Sequence, residues 1–204
     1  MKRAPWVTRT FTILLACFCL ITATASHAQR GAITVPRGLD ELTGRAENIL
    51  RGHIVEAHVE PDPKLKNLMT VVVKMKVDKT LKGKAVSDHT FRQFIWDIRD
   101  QYDAARYQKG QELLLLLNPV SENGLTSPTG MDQGRFRILR TADGKATAVN
   151  GTHNVGLFDG VAQRTAKRGV RFSAKSAALL ERTAGGPVPL DQLEEVISTI
   201  ASTK

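Results

Sequence analysis

Met69-Thr-Val-Val-Val-Lys-Met-Lys-Val-Asp-Lys-Thr-Leu-Lys-Gly83 is the stretch whose reading decides the fold. Val71, Val73, Met75, Val77 and Leu81 occupy odd positions, and Thr70, Lys74, Lys76, Asp78, Thr80 and Lys82 occupy even ones. That period of two is the signature of a strand with one buried face. At 3.6 residues per turn the same apolar residues would be scattered around a helix. Gly83 closes the element, since glycine accepts the positive φ of a tight turn.

Upstream of this strand, Leu50, Gly52 and Ile54 alternate on even numbers and Val55, Ala57 and Val59 on odd ones, so the parity slips once. Keeping both sets on one side requires a β-bulge near Ile54 and Val55, with Gly52 relieving the crowding at the bend. Leu39 to Glu47 reads as a short helical turn that tucks Leu39 and Leu42 inward, and Pro61 and Pro63 fit the connection between the two strands.

Downstream, residues 86–96 form a third strand candidate with Phe91, Phe94, Ile95 and Trp96. Residues 97–107 read as a short helix, with Ile98, Tyr102 and Ala105 on one side. Leu113 to Leu117 is an unbroken leucine run between Gly110 and Pro119, suited to a strand covered on both faces. A hairpin around Ala142-Asp143-Gly144-Lys145 follows. Three strands, a helix and two strands is the order of a five-stranded oligonucleotide/oligosaccharide-binding (OB) Greek-key barrel. The expected fold is therefore mainly β with short helices, a barrel over residues 39–150 plus a C-terminal amphipathic helix. Residues 151–188 are rich in glycine and basic side chains and read as a partly ordered connection. Over 189–204, Leu190, Leu193, Val196, Ile197 and Ile200 make one helical stripe, and Asp191 with Glu194 suggests a capping box.

Several segments carry a family resemblance: Ala46 to Ile54, Val77 to Gly83, Tyr107 to Leu117, and Gln133-Gly134-Arg135-Phe136. In this order they resemble landmarks of secreted bacterial proteins of unassigned function that are similar to the netrin-like and tissue-inhibitor-of-metalloproteinase (TIMP-like) OB fold. The resemblance spans about residues 39–150 and implies a fold rather than an activity. The inhibitors chelate zinc through a mature N-terminal cysteine, which this chain would lack after removal of its leader.

Residues 1–28 read as a secretory signal peptide: Lys2, Arg3 and Arg9 precede an apolar run from Phe11 to Ile21, and Ser26-His27-Ala28 offers a cleavage site. The run is too short to span a bilayer, so no transmembrane anchor is expected after cleavage. The expected location is periplasmic or secreted. Cys17 and Cys19, the chain's two cysteines, fall inside the leader, which removes disulfides, thiolate metal sites and cysteine nucleophiles from the mature protein. The leader holds three of the 29 Lys and Arg and none of the 20 acidic residues, so the mature chain carries 26 − 20 = +6. Such a balance favours an envelope or extracellular protein or a polyanionic glycan as partner. Export argues against genomic nucleic acid.

No phosphate loop, metalloprotease helix, nucleophile elbow or calcium loop is present, and no cofactor is implied. The favoured function is a non-enzymatic binding module; the alternative is a hydrolase whose site no motif reveals. Lys74, Lys76 and Lys82 on the organising strand, with Phe94 and Trp96 as a stacking platform, form the expected ligand face. The proposed bulge also aims His53, Glu56, His58 and Glu60 outward together, a nitrogen and oxygen set with metal-binding character.

Overall fold

The computed structural model describes residues 34–203. The expected signal peptide lies outside the described residues. The elements run α1 (Leu39–Arg45), β1 (Asn48–Pro61), β2 (Met69–Lys82), β3 (Asp88–Phe94), α2 (Asp100–Asp103), β4 (Glu112–Leu117), β5 (Arg135–Arg140), β6 (Ala146–Asn150), α3 (Val161–Lys167), α4 (Ala174–Leu180), β7 (Val188–Pro189) and α5 (Leu190–Ser202). Short 3₁₀ turns at Ala104–Arg106 and Met131–Gly134 precede β4 and β5.

All seven strands belong to one antiparallel sheet in the order β3-β2-β1-β4-β5-β6-β7. The sheet is open, not a closed five-stranded barrel, and the reason lies in β5. One edge of β5 pairs with β4 and the other with β6, which leaves it no edge for β3. The outer side of β3 instead meets the loop after β4, where the Thr126 amide donates to the Arg92 carbonyl at 2.9 Å.

The expected bulge is present. Ile54 pairs with Met75 and Glu56 with Lys74, so Val55 has no opposite number and its side chain is exposed. Further register shifts flank Leu50 and Gly52. A Cβ on Gly52 would sit 2.0 Å from the Lys76 carbonyl oxygen, so only glycine lets the two backbones approach there.

Every residue of β4 is buried because the sheet carries a core on each face. Leu113, Leu115 and Leu117 meet Leu50, Ile54, Val71, Val73, Met75, Phe91 and Tyr107 on one side. Leu114 and Leu116 meet Leu39, Leu42, Ile49, Phe136 and the C-terminal helices on the other.

Two sequence expectations, the helix over 97–107 and the capping box of α5, are corrected. Residues 97–107 form a single helical turn followed by a left-handed one, not a continuous helix. Residues 151–188 contain α3 and α4, whose Val161, Leu179 and Leu180 are buried in the second core with Leu157 and Phe158. The apolar stripe of α5 is buried as expected, but Asp191 and Glu194 form no capping box: Pro189 is the N-cap and no side chain caps it. Glu194 turns instead to the sheet, 2.7 Å from Lys79 Nζ and 2.9 Å from Arg51 Nε.

Candidate functional site

The lysines of the organising strand sit among carboxylates. Even-numbered residues of β2 share an outer face with even-numbered residues of β3 and with Glu56, His58 and Glu60 across the ladder. Lys74 Nζ lies 2.8 Å from Glu56, and Lys76 stands opposite Asp88. Lys82 is at the far end, donating to the Thr43 and Gly44 carbonyls at 2.8 and 3.2 Å, where it satisfies the last turn of α1. Burial lowers its pKa. Phe94 and Trp96 pack edge to face with centroids 5.0 Å apart, and the Trp96 ring remains half exposed.

The proposed metal quartet separates. His58 lies between Glu56 (3.0 Å) and Glu60 (3.2 Å). A hydrogen bond from Lys74 holds the Glu56 carboxyl below its ordinary pKa, and one from Arg92 does the same for Glu60. His53 stands apart, with Nδ1 2.9 Å from Asp78 and Nε2 3.9 Å from Glu112. Those three residues could each turn a ligand atom inward, but both Glu112 oxygens already accept from Arg140 at 2.7 Å, and Arg51 adds a contact at 3.2 Å. Two guanidinium groups on one carboxylate leave little negative charge for a cation.

A second place draws more of the molecule's irregular backbone to itself. It is a hollow of about 380 Å³ lined by Arg106, Gln108, Gln111, Asp132, Arg135, Arg137, Asn150, Gly151 and His153. Among the described residues, the non-glycine positions with positive φ are Ala104, Ala105, Arg106, Met131, His153 and Asn154. Arg106 and His153 line the hollow themselves, Ala104 and Ala105 lead into Arg106, Met131 precedes Asp132, and Asn154 follows His153. Each such residue costs on the order of 1–3 kcal/mol, so surrounding contacts must hold it in place.

Those contacts are specific. The Arg135 guanidinium donates to the Ala105 carbonyl at 2.7 Å and the Arg106 carbonyl at 2.6 Å, and its carbon lies 3.9 Å from the centroid of the Tyr107 ring. Tyr107 is buried, which pushes its pKa up to about 12, and its hydroxyl donates to Gln93 at 2.9 Å. On the opposite wall, Asn150 Oδ1 accepts from the Thr152 and Asn154 amides, and Asn150 Nδ2 donates to the Gln133 carbonyl. Asn154 Nδ2 in turn donates to the Ala148 and Gly186 carbonyls. Gly151 permits close approach: a Cβ there would lie 2.5 Å from Asp132 Cβ.

Charge in the hollow is one-sided, with three arginines against one carboxylate. Arg106 Nη2 lies 2.6 Å from Asp132. Partial burial works against the Arg106 charge, but the Asp132 contact, with the charges of Asp100 and Asp103, more than offsets it and raises its pKa. Sequence reading missed this site. Arg135 and Arg137 do share a parity opposite to Phe136 and Ile138, and that alternation could have marked a basic strand face. Nothing in Asp103-Ala-Ala-Arg106 signals left-handed backbone, because alanine and arginine favour the right-handed helix.

Searches against protein-family models, curated proteins and solved structures match nothing.

Proposed function

We propose that this chain is an exported, non-enzymatic binding module whose arginine-lined hollow takes an anionic ligand. The observation that carries the reading is the concentration of left-handed, non-glycine backbone around one polar pocket, a cost kept where it positions side chains. The volume lies within the range of small-molecule sites, toward its lower end. Binding is favoured over glycoside hydrolysis by the lining itself, in which Asp132 is, among the described residues, the single carboxylate where that chemistry ordinarily uses a pair. The finer fold reading, an OB-like arrangement, is supported by the first five strands: β1 lies between β2 and β4, a helix precedes β4, and β5 follows it, as in an OB barrel opened between its third and fifth strands.

Calorimetric titration of the purified protein at low ionic strength with phosphate, sulfate and uronic acids tests the reading. At least one anion is expected to bind, with an affinity that falls as salt is added. Absence of heat from every anion would sink it.

A further inference from the structure

We infer that the ligand of this hollow is an acidic sugar, a hydroxylated ring bearing a single carboxylate; the inference rests on the anion-binding reading above. Several polar groups in the wall are already used. Arg135 is nearly buried and spends two N–H groups on the carbonyls of the left-handed turn. Asn150 is buried and committed through both its side-chain atoms. These two line the hollow but spend those groups on building it. Arg106 is half-exposed and gives one terminal nitrogen to Asp132.

What remains defines the guest. Arg137 is exposed, lines the hollow, and has no ion pair or side-chain hydrogen bond among the described residues. Its planar fork suits a carboxylate held through two parallel bonds. The same hollow is lined by the amides of Gln108 and Gln111 and the ring of His153, groups that pair with hydroxyls. Gln111 Oε1 accepts weakly from the Gln108 backbone amide at 3.4 Å, and its amide nitrogen is left to donate.

Asp132 narrows the choice further. One of its oxygens accepts from Arg106 and the other remains an acceptor in the pocket wall. A carboxylate in that position accepts a sugar hydroxyl but repels a second negative charge, which disfavours phosphate dianions. Among the described residues the wall carries no aliphatic side chain and no Phe, Tyr or Trp; its carbon surface comes from arginine and glutamine methylenes and the His153 ring, so a long alkyl chain finds no hydrophobic side chain to pack on. One guanidinium fork without a protein partner among the described residues, hydroxyl-pairing donors and acceptors in the same wall, and a carboxylate acceptor together describe a uronic acid unit.

The test titrates D-galacturonate, D-glucuronate, D-galactose and inorganic phosphate into the wild type, Arg137→Gln, and Lys175→Glu, an exposed position of α4, as a surface control. Arg137 projects from the exposed side of β5, so its replacement leaves the core untouched, and circular dichroism confirms folding. One of the uronates is expected to bind, at least tenfold more tightly than galactose. Arg137→Gln should weaken it by tenfold or more, and Lys175→Glu by less than twofold. Equal affinity for galactose, or uronate binding indifferent to Arg137→Gln, overturns the inference. Phosphate binding that depends on Arg137 without uronate binding also overturns it, yet leaves the anion-binding reading standing. If none of the four binds, the inference falls, and the anion-binding reading falls with it once sulfate also gives no heat.

Discussion

Arg135 shows how a single side chain can hold an unfavourable backbone in place. Removing it leaves two carbonyls of the 104–106 turn without their charged donor and strips the cover from the Tyr107 ring. Hydrogen bonds from charged groups contribute about 1.5–3 kcal/mol each, so Arg135→Ala should cost on the order of 3 kcal/mol in urea denaturation. Arg135→Lys should recover less than half of that, because an ammonium lacks the fork that spans both oxygens. A variant as stable as wild type would mean the turn is held by other contacts. Glu112 makes a pH-dependent contribution. The hydrogen bond from Arg140 holds its carboxyl below the ordinary value of 4.5, so the folded state binds that proton more weakly than the unfolded state. The stabilisation is therefore complete above about pH 4.5 and lost as pH falls through the folded value. Glu112→Gln should be less stable than wild type at pH 7, with the gap closing toward pH 3; a gap independent of pH would deny the ion pair this role. Neither residue's partner was readable in the chain, since 28 residues separate Glu112 from Arg140 and 30 separate Ala105 from Arg135.

Among the elements, those with a strict period were legible and those without were not. The alternation of β2, the leucine run of β4 and the stripe of α5 each use one rule repeated, and each is found where the pattern placed it. The bulge at Val55 was legible for the same reason, as a break in an otherwise regular parity. α3 and α4 were hidden because each has seven residues and few buried side chains, too short for a periodic signal among flanking glycines. The open sheet was hidden as well: β7 has two residues, and the strand pairing that uses up both edges of β5 depends on long-range contacts. The burial of α5 leads to a stronger expectation than its amphipathic pattern alone. Leu190, Leu193, Val196, Ile197 and Ile200 are all buried, and at about 1.5–3 kcal/mol each they contribute roughly as much as the entire net stability of a typical domain. A chain ending at Pro187 should therefore lose its cooperative thermal transition, and Leu193→Ala alone should cost about 2–5 kcal/mol. A truncated protein that still melts within a few degrees of wild type would show that the helix is dispensable.

At the scale of the whole molecule, the two cores share their strands. β1 sends Ile49 to one side and Leu50 and Ile54 to the other, and β4 divides its leucines in the same way. Neither core can lose its packing without removing a wall from the other, because a strand that leaves the sheet exposes both of its faces. The C-terminal helices add a polar tie through Glu194, which contacts both Arg51 of β1 and Lys79 of β2. This architecture predicts one unfolding transition for residues 34–203 despite the presence of two hydrophobic clusters. Trp96 follows β3 and packs on Phe94, so its fluorescence reports the sheet edge that lies beside the first core, whereas far-UV circular dichroism near 222 nm weights the helices of the second. The chain's other tryptophan, Trp6, falls in the expected leader, so protein from Gln29 onward gives a single-tryptophan signal. Urea curves recorded by the two probes should superimpose, with the same midpoint and slope. Leu115→Ala, in the first core, and Val196→Ala, in the second, should each shift both curves together, because the damage in either case is felt through the shared strands. Separate midpoints, or a variant that moves one probe alone, would show that the faces of the sheet unfold independently and that β1 and β4 do not couple them.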